Sequence, residues 1–152
     1  MKKLVLIGLI AICLFALVVG SSSDAVKRTS SFIAENSEIK VGWVEFSDLD
    51  SIKCSYSMFT GTEERIIKVE IGDCILLNYS ITVDEGSVEI EVRDPAGEVL
   101  WKHQFKKGSF ASSVKIETNQ SGWHKVVIRG EGAGGSFDVS WKVERRCGYF
   151  ES

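Results

Sequence analysis

Cys54, Cys74 and Cys147 are the residues of this chain best suited to covalent chemistry; the fourth cysteine, Cys13, lies in an apolar N-terminal run. A thiol works as a nucleophile only with a base beside it. The two histidines, His103 and His124, are not spaced for such a pair. If the chain is exported, a disulfide is the better use of the thiols. In an antiparallel sandwich the first and last strands often pair. Cys54 sits early in one and Cys147 just past the end of the other. The expected bridge is therefore Cys54–Cys147, with Cys74 a buried free thiol.

Other constellations offer less. A His/Cys metal site needs clustered ligands, and neither CxxC nor HxxxH occurs. His103 continues an alternation from Val99 and Trp101, so it reads as a packed or edge histidine. Asp48, Asp50, Asp84, Glu85 and Asp94 supply oxygen in expected turns, but their spacing matches no calcium loop. Gly130 to Gly135 invites a phosphate-loop reading, which would need a strand before it, a helix after it and a lysine. A strand follows instead and Glu131 would repel phosphate, so the segment reads as a flexible hairpin loop. No Ser-His-Asp or paired-carboxylate arrangement is spaced for catalysis. The chain is expected not to be an enzyme and to carry no cofactor.

The tryptophans bear on binding, because flat rings match the apolar faces of sugars. Trp101 and Trp141 run in phase with aliphatic partners and read as core, which leaves Trp43 and Trp123 as candidate ligand-facing aromatics. Asn78-Tyr79-Ser80 and Asn119-Gln120-Ser121 match the N-glycosylation pattern, and Asn119, in a turn, is the better acceptor.

The elements that must position these residues are strands. From residue 39 the apolar period is two. Ile39, Val41 and Trp43 alternate, as do Ile52, Cys54, Tyr56 and Met58, then Ile67, Val69 and Ile71. Ile75 to Val83 and Val88 to Val92 follow, separated by an expected turn at Asp84-Glu85-Gly86-Ser87. Asp94-Pro95-Ala96-Gly97 suits a type I turn, with Pro fixing φ at the second position. Val99 to Phe105, Val114 to Thr118, Trp123 to Arg129 and Phe137 to Val143 complete the series. Strands at roughly 8–12-residue spacing with no helix between them predict an all-β fold. The expected form is an antiparallel, jelly-roll-like β-sandwich of about eight strands. It spans 39–146 and ends in a short tail, 147–152.

Residues 1–23 precede this domain, followed by a polar spacer, 24–38. Lys2 and Lys3 open the chain, Leu4 to Val19 carries no charge, and Gly20-Ser21-Ser22-Ser23 is small and polar. That is the layout of a secretory signal peptide. As a helix the apolar run rises about 25 Å, short of a hydrocarbon core of about 30 Å. Cleavage is favoured over retention as an N-terminal anchor made by residues 4–20. Either way the lysines stay inside and the domain is expected outside the cytoplasm.

Between residues 64 and 143 the order of features resembles the GOLD-like β-sandwich group. The matching pieces are Val69-Glu70-Ile71-Gly72-Asp73, Gly86-Ser87-Val88-Glu89-Ile90 and Arg93-Asp94-Pro95-Ala96-Gly97-Glu98-Val99, then Gly108-Ser109-Phe110, Ser121-Gly122-Trp123-His124-Lys125-Val126-Val127-Ile128 and Gly135-Ser136-Phe137. The p24 cargo-receptor branch carries a Cys where Val126 and Val127 stand, and also a coiled coil and a C-terminal membrane helix, which this chain lacks. The resemblance implies a sandwich with a binding or structural role and transfers no catalytic residue.

Charge narrows the partners. The whole chain is net −3, and without Lys2 and Lys3 it holds 16 basic residues against 21 acidic. Nucleic acid requires a basic footprint, and no polybasic cluster exists for anionic lipid. Membrane contact is expected only through the N-terminal segment. The expected function is protein–protein or cell-envelope interaction, with an unknown protein or envelope component as partner. The alternative is a carbohydrate- or calcium-binding module.

Overall fold

The computed structural model describes residues 38–147. The expected leader and the helix expected of its apolar run, residues 24–37 of the spacer and residues 148–152 lie outside them. Seven strands run in chain order: β1 (Ile39–Val41), β2 (Val44–Ser47), β3 (Ser51–Val69), β4 (Cys74–Arg93), β5 (Val99–Phe105), β6 (Gly108–Glu117) and β7 (Gly122–Glu144). All pairings are antiparallel. Among the described residues no helix is long and apolar enough to cross a membrane.

Three strands are far longer than the usual five or six residues: β3 has 19, β4 has 20 and β7 has 23. Kept straight, 20 residues would span roughly 66 Å, whereas a domain of about 110 residues has a radius of gyration near 13 Å. Each long strand therefore bends halfway, and one continuous sheet folds into two layers. The first layer joins the early half of β3, the late half of β7 and the early half of β4, through pairs such as Ile52↔Val139 and Ile81↔Phe137. It is flanked by β1 and β2 on β3 and by β6 on β4. The second layer joins the late half of β3, the early half of β7, the late half of β4, and β5, through Ile67↔His124, Ile90↔Ile128 and Ile90↔His103.

The corner explains two departures from the sequence reading. Asp84-Glu85-Gly86-Ser87 was expected to be a turn and Gly130–Gly135 a hairpin loop. Both lie inside strands, β4 and β7, where the register shifts between Val83 and Ser87 and the ladder continues beyond. Turn-forming composition here marks a bend in a paired strand, which is the role of a bulge. The corner of β3 shifts register between Tyr56 and Gly61. Its extra residue moves Phe59 inward, fully buried, and leaves Met58, expected in the inward alternation, exposed. Corners also explain the strand count: pairs of expected short strands are halves of single long ones.

Between the layers Phe59, Phe105, Phe137, Ile52, Ile75, Leu77, Ile81, Ile90 and Ile128 are fully buried. Trp141 belongs to the core, whereas Trp101 is half-buried at its border.

The covalent link also differs from expectation. Cys74 bonds Cys147, and Cys54 is a buried free thiol. β3 and β7 do pair, but Cys54 stands opposite Phe137, well short of the end of β7. The late end of β7 runs beside the start of β4, with Cys74 opposite Glu144, so Cys147 meets Cys74. The amide of Cys147 also donates to the carbonyl of Gly72. Residue 147 is thus fixed to the sheet.

Candidate functional site

Outward positions of the first layer carry short polar side chains on every central strand: Lys53 and Ser55 on β3, Ser136, Asp138 and Ser140 on β7, and Asn78, Ser80 and Thr82 on β4. The register sets them in rows. Phe46, Lys53, Asp138 and Ser80 form one row across four strands; Val44, Ser55, Ser136 and Thr82 form the next. Short side chains in the middle and taller Val44 and Phe46 at the β2 edge leave a groove of about 230 Å³. Phe46 is 70% exposed. Lys53 Nζ lies 3.4 Å from Asp138 Oδ2. Ser55, Ser80 and Ser136 line it, and among the described residues their hydroxyls make no side-chain hydrogen bond, while Asn78 in the next row accepts from Ser113. The groove therefore offers one apolar face, three small hydroxyls, a cation and a carboxylate, all near solvent.

The residues singled out from sequence are spread over the domain. Trp43 packs on Phe59 at 5.0 Å, Tyr56 at 5.7 Å and Phe137 at 6.0 Å. Lys40 Nζ sits 4.7 Å from its centroid, and its indole N–H donates to Glu45. Trp43 thus caps one end of the core. Trp123 is 57% exposed on the outer face of the second layer, opposite Lys68. His124 is fully buried with Nε2 unpartnered, and His103 is exposed on β5. Burial, with the negative charge of Glu45 nearby, pushes the Cys54 thiol up to about 12, so it holds almost no thiolate at neutral pH. Asp94 is buried as a turn cap, accepting from the amide of Glu98 at 2.8 Å. Among the described residues no three His, Cys, Asp or Glu side chains converge as metal ligands. Asn78 is half-buried in mid-sheet, and Asn119 is exposed in the β6–β7 turn.

The groove residues Phe46, Lys53, Ser55, Ser80, Ser136 and Asp138 were missed. Their signal was available: Lys-x-Ser, Asn-x-Ser-x-Thr and Ser-x-Asp-x-Ser occupy the outward phases of three strands that the period of two already defines.

The outer face of the second layer is built differently. Glu91, only 3% exposed, accepts from Arg93 Nε and from Arg129 Nη1, each at 2.7 Å. Burial alone would raise its pKa; the Arg93 hydrogen bond and the Arg129 charge outweigh that and hold it below the usual carboxylate range. A lowered folded pKa contributes stability above the unfolded value, near 4.3, and that contribution fades as pH falls through the folded value. Glu91→Gln should cost about 1–3 kcal/mol at pH 7, less than a fully buried pair because both arginines reach solvent. Urea titrations should show the gap to wild type narrowing as pH falls below about 4. An equal gap above and below that pH would contradict this account.

No family model and no curated sequence matches the chain. Among solved structures it is similar to one described as "CBM4 structure and function" (7% identity, TM-score 0.45, covering 68% of this chain and 78% of that one). It is also similar to TmCBM61 in complex with β-1,4-galactotriose (13%, 0.42, 68% and 70%). A third is the carbohydrate binding module CBM6cm-2 from Cellvibrio mixtus lichenase 5A in complex with cellotriose (13%, 0.41, 74% and 92%). The expectation of protein–protein or cell-envelope interaction is corrected here, since what these neighbours are described as binding is sugar. The architecture of this chain is an all-β antiparallel sandwich.

Proposed function

We propose that the protein is a non-catalytic carbohydrate-binding domain acting outside the cytoplasm, and that the groove at Phe46 is its site. The observation that carries this reading is the coincidence of an exposed aromatic face with unpartnered hydroxyls and a Lys–Asp pair in one groove. A pyranose presents C–H groups on one face and hydroxyls around its rim. Phe46 stacks with the face. Asp138 accepts from two neighbouring hydroxyls, Lys53 donates, and Ser55, Ser80 and Ser136 do either. The volume lies below the roughly 300–1,000 Å³ of drug-sized pockets, which suits one or two sugar rings. The Cys74–Cys147 bridge supports an oxidising compartment.

Affinity electrophoresis through gels containing neutral β-glucan, galactan or xylan tests the reading. At least one polysaccharide should retard the protein. Phe46→Ala should weaken retention about tenfold, the loss of one stacking contact, with unfolding unchanged because Phe46 lies outside the core. Undiminished retention of the variant would contradict the assignment.

A further inference from the structure

Rings and unpaired charge converge at one other place. β5 pairs only with the late half of β4, and β6 only with the early half. The two edge strands start together at the corner and then diverge with their layers. Phe105, Trp101 and His103 stand opposite Val88, Val92 and Ile90, so they face inward; Phe110 and Ser112, opposite Ile81 and Tyr79, face them from the other layer. Phe105, at the corner, is buried. Farther out Trp101 is half-buried, His103 and Ser112 are exposed, and Phe110 is 37% exposed. The result is a wedge open to solvent and floored by Tyr79, whose ring lies 6.0 Å from that of Trp101. The rings of Trp101 and His103 are 6.3 Å apart and within 14° of parallel.

The charge around this wedge is unlike the rest of the chain. From Val99 to Ile116 there is no Asp or Glu, in a sequence holding 21 of them, while Lys102, Lys106, Lys107 and Lys115 occur. Lys115 pairs with Glu144 at 3.6 Å; Lys102, Lys106 and Lys107 form no ion pair among the described residues. Glu91, opposite Lys102, is already held by two arginines, and Asp84 and Glu85 at the β4 corner pair with none of these lysines.

We propose that the wedge between β5 and β6 is a second binding site, for an anionic glycan, with a sugar ring on Trp101 and His103 and its acidic group at Lys106 and Lys107. Aromatic faces provide the stacking surface, and the unpaired lysines provide the charge complementarity. The wedge opens at the β5–β6 edge and the groove on the outer face by β2, so either can fail without the other.

Titration calorimetry of the full chain with oligogalacturonate and with its neutral methyl ester tests this. Oligogalacturonate should bind, the ester should bind at least about tenfold more weakly, and added salt should weaken only the acidic ligand. Lys106→Ala with Lys107→Ala, both in an exposed turn, should lower affinity about tenfold; Phe46→Ala should leave it unchanged. Trp101→Ala should also abolish binding, but it borders the core, so the lysine pair carries the test. No binding of oligogalacturonate, equal binding of the ester, or indifference to the lysine pair would overturn the proposal. Loss on Phe46→Ala alone would move the ligand to the groove and overturn it equally.

Discussion

Gly135→Ala should cost more than about 3 kcal/mol and prevent the two layers from closing. Gly135 has φ +137, where an L side chain is strained, and a Cβ there would lie 2.0 Å from the carbonyl oxygen of Thr82. The contact is with backbone of a strand paired on both sides, so no side-chain rotation relieves it. Strain of about 1–3 kcal/mol adds to overpacking of about 1–3 kcal/mol. Gly86 has the same constraint across the corner: φ +67, with a Cβ 2.3 Å from the carbonyl oxygens of Glu131 and Gly132. Gly97 is the control. Its φ is +88 but nothing lies within 4 Å of its Cβ position, so Gly97→Ala should cost only about 1 kcal/mol. Urea unfolding of the three variants separates a packed corner from simple loss of backbone freedom. Equal costs at Gly97 and Gly135 would mean that the strands do not pass the corner as described.

Cys147→Ser should cost about 4 kcal/mol under oxidising conditions. The bridge joins residues 73 apart, and in the chain-entropy account a loop of that length removes about 4 kcal/mol of freedom from the unfolded chain. Reductant should lower wild-type stability by a similar amount and leave Cys147→Ser unaffected. Cys54→Ala should keep the bridge and lose only about 1 kcal/mol for a small buried group. Peptide mass mapping after alkylation of the unfolded, unreduced chain gives the pairing directly. A label on Cys74 together with a cost at Cys54 would support the Cys54–Cys147 link and contradict the structure.

The inward-facing residues were readable from a period of two, because every half-strand buries one face. Ile75 to Val83, Val88 to Val92 and Phe137 to Val143 lie where alternation placed them. What alternation cannot register is continuity through a bend. Asp84–Ser87 and Gly130–Gly135 have the composition of turns because a bent ladder and a true turn need the same glycines. Treating them as turns cut β4 and β7 in two and lost the pairing of the β7 end with the β4 start. The expected disulfide failed on register as well: β3 and β7 pair, but Cys54 stands opposite Phe137 and not at the end of β7. The groove was hidden for a different reason: Ser55, Ser80 and Ser136 are ordinary solvent-side residues one strand at a time. They become a surface only when register sets them in rows beside Phe46.

Nitrogen-15 chemical-shift mapping of the full chain, titrated with the oligosaccharide of the best-retained neutral polysaccharide, shows whether the groove at Phe46 holds sugar. Saturable shifts should concentrate at Val44–Phe46, Lys53–Ser55, Ser80 and Ser136–Asp138, and should be lost in Phe46→Ala. Shifts confined to other faces, or none with any neutral glycan, would contradict this assignment.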